Sequence, residues 1–436
     1  MRFQGVDLVV AVLLILPAIN AATFRDMILQ LFKTVRDSEI SIVYPDISDG
    51  VRRQPRFAKQ IPFPCDIRGG RSASRPDSVH RLRPGDIDVV GALGDSLVAA
   101  NGAMEEYALG TFIEARGVSW CAGGQGDWRQ FLTLPNIMKE FNPNLTGYST
   151  GNGEFISKQA KLNVAFPVAA TEDALHQARI LVRRIKNDPT IDMKRDWKLV
   201  TIFFGANDIC SAQCYKPEQF SPSRHALHLR RTLDYLRATL PRTLVNVVPV
   251  LGKRIESTYV KNLCIIHLRF FTCDVTVSIR VPTSTMCNLL HPLYCACMHE
   301  GNEPDITGSV MSRQYQQAAE SLVLSGRYDT TQDFTVVYQP FTELFNAPNS
   351  NPRNSEVLDQ TLVTYDCFHF SQKGHALGGN LLWNNLLEPV GNKTDHGKPR
   401  IMERLVCPSA RTPYIFTNVN SRYYYETGNQ EGISPR

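Results

Sequence analysis

The feature that most constrains the fold is an alternation of short apolar runs with longer amphipathic segments, which begins at Ile87. The apolar runs are rich in β-branched and aromatic residues, and the longer segments have helical periodicity. The predicted strands are Ile87–Leu93, Leu199–Phe204, Leu244–Val250 and Phe334–Tyr338. The predicted helices are Met104–Ala115, Thr171–Lys186, Ser223–Leu240, Ser309–Leu324 and Ser371–Leu387. Strands that alternate with helices predict an α/β fold, a three-layer sandwich whose central parallel sheet is covered on both faces.

Three segments lie outside this alternation. Residues 1–21 place an arginine before an apolar run and then small residues, which is typical of a secretory signal peptide, although a buried strand or helix is the alternative. Residues 22–85 are rich in Arg, Pro, Ser and Asp and are predicted to form an extension packed on the core. The core domain is predicted to span 86–390, and 391–436 to form a tail that wraps its surface.

The composition is that of a globular protein, with 43% hydrophobic and 20% charged residues. The net charge of +5 is mild, and the Lys and Arg residues form no block, so no nucleic-acid partner is expected. After the first apolar run, no stretch of about twenty apolar residues occurs and the C-terminus is polar. A membrane-spanning or lipid-linked tail is therefore not expected.

Secretion would expose the chain to an oxidising compartment, where its eleven cysteines should form several disulfides and leave at least one thiol over. The pairing cannot be read from the sequence. Two Asn-x-Thr triplets, at Asn144 and Asn392, are predicted glycosylation sites. Both predictions depend on the signal peptide, and both indicate an extracellular protein.

Residues 264–299 interrupt the alternation with a cluster of cysteines and histidines. The two halves of this insert resemble each other, since His267 precedes Cys273 by six positions and His291 precedes Cys297 by six. A disulfide-bonded loop is the favoured interpretation. A zinc site is the alternative, but paired C-x-x-C units are missing. An unstructured or erroneous insert is the third.

The first predicted strand runs into Gly94-Asp95-Ser96, a turn that would present the serine hydroxyl at the rim of the sheet. Acyl transfer at neutral pH needs a nucleophile, a base, a carboxylate that orients the base, and donors for the oxyanion. Ser96 is the candidate nucleophile. The flexible glycine before it allows a tight turn from strand to helix.

His369 is the candidate base, because Asp366 precedes it by three positions on a loop. A carboxylate at this spacing can accept from Nδ1–H and leave Nε2 for Ser96. The alternative is a surface pair without a catalytic role. His375 is the rival base, but its place after a glycine at the start of a helix indicates capping or packing.

Two further segments can supply oxyanion donors. Asn207 follows a predicted strand and a Gly-Ala turn, so its amide should lie at the same sheet edge as Ser96, while Asp208 is expected to tie down the loop. The third donor should be a backbone N–H of the glycine-rich turn 121–127, which contains Gly123, Gly124 and Gly126.

The order of Gly-Asp-Ser-Leu, a glycine-rich turn, Gly-x-Asn-Asp and Asp-x-x-His resembles the four blocks of the GDSL/SGNH hydrolase family, and the chain is especially similar to the metazoan phospholipases B. The resemblance runs from about Phe63 to Arg422. Beyond the serine and histidine blocks, it is carried by the stretches 77–87, 133–137, 383–385, 388–391, 407–408 and 413–414.

The resemblance implies a flavodoxin-like α/β sandwich and a triad of Ser96, Asp366 and His369. It also implies oxyanion donors from Ser96, Gly124 and Asn207, although Gln125 stands where aspartate is commoner and keeps the choice of glycine open. The implied activity is hydrolysis of acyl esters in phospholipids and lysophospholipids, with no metal or cofactor and with transient contact to a membrane surface or micelle. Two departures are the single copy of the domain and the long 264–299 insert.

Two other functions remain open from the sequence. One is an esterase for short-chain or carbohydrate acyl esters. The other is a non-catalytic secreted binding protein on the same fold, which the intact Ser, Asn, Asp and His residues disfavour. An unrelated α/β-hydrolase is disfavoured because Ser96 lacks a Gly-x-Ser-x-Gly elbow.

Overall fold

The computed structural model of the chain describes residues 51–252, 285–298, 304–346, 359–397, 400–430 and 432. Within these ranges, four strands form one sheet in the order β1-β2-β3-β4, and every neighbouring pair is parallel. The strands are β1 (Ile87–Gly94), β2 (Trp197–Phe203), β3 (Thr243–Val248) and β4 (Phe334–Tyr338). The predicted signal peptide 1–21 and residues 22–50 of the extension lie outside the described residues.

Eight α-helices accompany the sheet in the described part of the chain. They are α1 (Ser96–Ala99), α2 (Leu134–Phe141), α3 (Ala174–Asn187), α4 (Pro222–Thr239), α5 (Thr285–Tyr294), α6 (Pro304–Leu324), α7 (Gln372–Leu386) and α8 (Asn418–Thr427). Most begin at a side chain that accepts a backbone N–H, such as Ser221 for α4 and Ser371 for α7.

The sheet is buried on both faces, because alternate residues of each strand enter two separate hydrophobic clusters. In β1, Val89 and Leu93 pack with α3, α4 and α6, whereas Val90 and Ala92 pack on the side of α2 and α7. The helices α3, α4 and α6 therefore cover one face of the sheet, and α2 and α7 cover the other. This arrangement confirms the predicted three-layer α/β sandwich.

The predicted helix Met104–Ala115 is wrong. This segment contains a short 3₁₀ turn, Ala108–Phe112, and its far end pairs with the chain just after α1 through an Asn101–Glu114 bridge. Gly110 and the β-branched Thr111 and Ile113 are poor helix formers, so the tertiary backbone pairing determines the conformation. The predicted helices over 171–186, 223–240, 309–324 and 371–387 correspond to α3, α4, α6 and α7, whereas α2, α5 and α8 were not predicted.

The described part of the extension, 51–85, and the tail both contact the core. Gln54 is buried and its side chain accepts the N–H of Leu132 at 2.7 Å. In the tail, Phe416 is buried and its N–H donates to Leu386 at 2.8 Å. A disulfide, Cys65–Cys407, joins the extension to the tail across 342 positions.

Two further disulfides, Cys210–Cys295 and Cys214–Cys297, attach the end of the 264–299 insert to the chain after β2. This pairing agrees with the disulfide interpretation and removes Cys295 and Cys297 from the alternative zinc site; the part of the insert at 264–284 lies outside the described residues. Cys121 is a free, buried thiol.

In the part of the chain that the structure describes, no three His, Cys, Asp or Glu side chains form a group that could hold a metal ion. The helices of the same residues include none that is long and apolar enough to cross a bilayer.

Candidate active site

Ser96 begins α1 directly after β1, and its neighbours explain the tight turn. A Cβ on Gly94 would lie 2.4 Å from Val98 Cγ2 and 2.8 Å from the Phe203 carbonyl of β2, so a side chain does not fit there. The backbone of Gly94 is bound on both sides by Gln177, which accepts its N–H and donates to its carbonyl, each at 2.8 Å. The sheet and α3 therefore fix the position of Ser96.

His369 lies beside Ser96 although the two are 273 positions apart, with Nε2 at 2.8 Å from Ser96 Oγ. Its Nδ1 lies 2.6 Å from Asp366 Oδ2. All three side chains are buried. The structure thus brings together the predicted nucleophile, base and orienting carboxylate in one hydrogen-bonded chain.

The other oxygen of Asp366 is held by the loop that leads to α7. Oδ1 accepts from Thr364 Oγ1 at 2.5 Å, from the Phe368 N–H at 2.9 Å and from the His369 N–H at 3.0 Å. Cys367 between them adopts a left-handed conformation, φ 58°, which folds the chain back on itself. The carboxylate therefore organises its own loop as well as the imidazole.

These hydrogen bonds decide the charge of Asp366. Burial raises the pKa of this carboxyl, but the charge and hydrogen bond of His369 and the bonds from Thr364 and Phe368 outweigh it, so the pKa lies well below its usual range. An ionised carboxylate can only accept, so Nδ1 of His369 carries the proton and donates it. When the imidazole is neutral, Nε2 is left to accept from the Ser96 hydroxyl, which is the state that a general base requires.

Asn207 follows β2 at the same edge of the sheet, after Gly205, whose φ of 120° is a conformation that favours glycine. Its Nδ2 donates to the Ala169 carbonyl at 3.0 Å, and one amide hydrogen remains to donate. The neighbouring Asp208 accepts the Thr171 N–H at 2.9 Å. Asp208 therefore ties down the loop, and burial raises its pKa to about 6.

Gly124, the predicted third donor, lies in a turn whose backbone N–H groups have acceptors in this structure. Its N–H donates to the Ser149 carbonyl at 2.9 Å, and the Gly123 N–H donates to Ser119 at 2.8 Å. Gly124 is a glycine because a Cβ there would lie 2.2 Å from the ring of Tyr148. An oxyanion at the Gly124 N–H would share it with the Ser149 carbonyl or replace that carbonyl, and Gly124 stays a predicted donor.

His375, the rival base, lies in the first turn of α7, where its Nδ1 accepts the Trp120 N–H at 3.3 Å. Burial lowers its pKa to about 3, so it is a neutral packing residue. This placement agrees with the packing role expected from its position in the sequence.

Sequence reasoning missed three groups near these residues. Thr364 binds Asp366, and the ring of Tyr294 packs edge-on against His369 with centroids 5.1 Å apart. The third is Val168, which directly precedes Ala169, the residue whose carbonyl accepts from Asn207. Val168 is exposed and β-branched, and its φ of 65° is a strained conformation for such a residue. The sequence spacing could have indicated Thr364, which precedes Asp366 by two positions. It could not have indicated Tyr294, because the position of Tyr294 depends on disulfide pairings that the sequence does not specify.

Comparison with known proteins identifies the family of the chain. A family model described as GDSL-like lipase/acylhydrolase matches residues 90–382. The mouse protein named "Phospholipase B1, membrane-associated" is 40% identical over 356 residues, which cover 80% of this chain and 22% of the relative. The human protein of the same name is 39% identical over 351 residues, or 79% of this chain and 22% of the relative. The chain thus spans about a fifth of the length of these relatives.

A solved structure from Parabacteroides merdae, named as a GDSL-like lipase, covers 69% of this chain and 95% of its own length at 12% identity. Its TM-score of 0.33 is too low to add to the fold assignment. The family match is sufficient without it. The chain belongs to the GDSL-like lipase/acylhydrolase family, which confirms the predicted family and the predicted class of carboxylic ester hydrolase.

Proposed function

We propose that this chain is a secreted serine esterase that hydrolyses acyl ester bonds of phospholipids and lysophospholipids. The observation that carries the proposal is the hydrogen-bonded chain from Asp366 through His369 to Ser96, with distances of 2.6 and 2.8 Å. The relatives named phospholipase B1 support the lipid substrate. The reaction would need no metal or cofactor.

In the proposed reaction, Ser96 Oγ attacks the ester carbonyl while His369 Nε2 takes its proton. Asp366 holds the imidazole in the required tautomer and stabilises its positive charge. The N–H of Ser96 and the free amide hydrogen of Asn207 would donate to the oxyanion. His369 then protonates the departing alcohol, and a water molecule activated by the same base releases the fatty acid and restores Ser96.

The surroundings of the site support a lipid substrate. Several large apolar side chains are exposed within a few residues of the site: Phe112, Val168, Tyr215 and Leu293. Phe112 and Leu293 flank Tyr294, which contacts His369. Exposed apolar side chains close to the site would favour transient contact with a micelle or membrane surface.

Secretion is supported by the disulfides, which persist in oxidising compartments. Both predicted glycosylation sites, Asn144 and Asn392, have exposed side chains, as an attached glycan requires. Glycosidase treatment of the secreted protein would test both sites, and the N-terminal sequence of the mature chain would test the signal peptide.

The decisive test combines labelling with product analysis. A fluorophosphonate probe should label Ser96, and Ser96→Ala should lose on the order of 10⁴-fold in kcat on a defined phospholipid. Release of both fatty acids would support phospholipase B chemistry, and faster turnover of acetyl esters than of phospholipid micelles would favour the short-chain alternative. A folded protein that takes no label and hydrolyses no ester would contradict the proposal and favour a binding protein.

A further inference from the structure

The end of the insert, 285–298, contacts the site through an attachment that the proposed reaction does not explain. Two disulfides, Cys210–Cys295 and Cys214–Cys297, join it to the turn that follows Asn207. Between them, Ser211 Oγ donates to the carbonyl of Tyr294 at 2.7 Å. The backbone of Tyr294 is therefore fixed to the same turn that carries the proposed oxyanion donor.

The side chain of Tyr294 is fixed as well. Its hydroxyl lies 3.0 Å from Thr111 Oγ1. Its ring stacks on Phe368 with centroids 5.8 Å apart and meets the imidazole of His369 edge-on at 5.1 Å, with an interplanar angle of 85°. Burial raises the pKa of Tyr294 to about 12, so its hydroxyl stays protonated at neutral pH and its effect on His369 is one of packing.

We propose that Tyr294 is a positioning residue that holds the His369 imidazole in the orientation in which Nε2 reaches Ser96. Asp366 restrains the ring at Nδ1, but this one hydrogen bond does not exclude other rotamers about the Cα–Cβ and Cβ–Cγ bonds of His369. An aromatic ring packed against the imidazole occupies the space into which it would turn, and an edge-to-face contact favours this geometry. This inference rests on the proposed catalytic role of His369.

The test uses Tyr294→Ala and Tyr294→Phe with a short soluble ester, so that lipid binding does not enter. We expect kcat of Tyr294→Ala to fall about tenfold with KM unchanged, because near-attack geometry is lost while the ester still binds. The labelling rate with a fluorophosphonate should fall in parallel. Tyr294→Phe keeps the ring and should stay within about threefold of the wild type.

Tyr425→Ala is the matched control, because Tyr425 is an exposed tyrosine whose hydroxyl donates to the Val390 carbonyl and not to a residue of the proposed site. Wild-type kcat in Tyr294→Ala, or a change in KM alone, would overturn the inference. Labelling of wild-type Ser96 and loss of activity in Ser96→Ala are measured in the same experiment. If both fail, the proposed reaction is wrong; if both succeed and Tyr294→Ala has no effect on kcat, only the inference about Tyr294 is wrong.

A second pair of variants removes the attachment and keeps the ring. The Cys210→Ala/Cys295→Ala variant is compared with Cys65→Ala/Cys407→Ala, which opens the disulfide between extension and tail. At a temperature where both are folded, we expect kcat to fall severalfold in the first and to stay unchanged in the second. Equal activities in the two variants would overturn the inference even if Tyr294→Ala does not fold.

Discussion

Asp95, which directly precedes Ser96, and Asp366, the carboxylate of the proposed triad, are both buried, yet their pKa values shift in opposite directions. Burial, with the nearby Asp208, raises the pKa of Asp95 to about 7. The pKa of Asp366 lies far below its usual range, because the charge of His369 and several hydrogen bonds outweigh the same cost of burial. Burial alone therefore does not decide whether a carboxyl in this site is charged.

The difference lies in the hydrogen bonds that each carboxyl accepts. Asp95 Oδ1 caps α1 by accepting the Leu97 N–H at 2.9 Å, whereas Oδ2 is buried and has no hydrogen-bond partner among the described residues. Both oxygens of Asp366 are bonded, one to the imidazole and the other to Thr364 and two backbone N–H groups. The Ser96 turn is fixed mainly by the sheet and can tolerate a neutral acid, whereas the His369 loop depends on an ionised one.

The largest effect on kcat is expected for a substitution at Asp366, and it tests whether the two carboxyls differ in role. Asp366→Asn should lower kcat by about 10³- to 10⁴-fold, because an amide at Oδ2 either donates to the imidazole or leaves it in the wrong tautomer. Asp95→Asn is the matched variant, since its remaining oxygen can still cap α1, and we expect a loss of less than about tenfold. Steady-state kinetics on one ester measures both. Equal losses would show that the two carboxyls do not differ in role.

A smaller effect is expected at Thr364, which donates to Asp366 Oδ1. Thr364→Val keeps the shape of the side chain but removes a hydrogen bond to a charged group, worth about 1.5–3 kcal/mol. We expect kcat to fall about tenfold. Thr361→Val is the control, because Thr361 bonds to the exposed Asp359 in the same loop. A wild-type kcat in Thr364→Val would mean that the backbone N–H groups alone hold the carboxylate.

The sequence predicts the sheet edge and the Asp366–His369 pair better than it predicts the glycine-rich turn and Tyr294. The strands, and the edge at which Ser96 and Asn207 emerge, follow from periodicity because each strand is buried on both faces. Asp366 and His369 could be predicted as a pair because they are only three positions apart. Local patterns therefore carry most of the fold and the proposed triad.

What the sequence did not predict depends on contacts between distant segments. The composition of the glycine-rich turn does not predict that a glycine at 124 accommodates the ring of Tyr148, or that its N–H donates to the Ser149 carbonyl. Tyr294 reaches His369 through cysteine pairs that eleven cysteines could form in many ways. Composition does not specify which loop meets the sheet edge.

The smallest expected effect concerns the pH dependence of stability. The folded-state pKa of Asp95 is about 7 and its unfolded value is near 4, so between these values the folded state binds more protons than the unfolded state. Its contribution to the free energy of unfolding therefore falls as the pH rises, by up to about 1.4 kcal/mol per pH unit. Asp95→Asn should remove the contribution of Asp95 to this slope. The contribution of Asp208, whose pKa is also raised by burial, to about 6, should remain.

Asp366 should contribute with the opposite sign. Because its folded-state pKa is depressed, its stabilisation is present above its unfolded pKa near 4 and is lost as the pH falls through the acid range. Urea unfolding at several pH values between about 3 and 7 would measure both slopes. Relative to the wild type, Asp95→Asn should gain stability toward neutral pH, whereas Asp366→Asn should lose less stability on acidification. Parallel curves for Asp95→Asn and the wild type would mean that the pKa of Asp95 is the same in the folded and unfolded states, so the raised pKa that separates it from Asp366 would be contradicted.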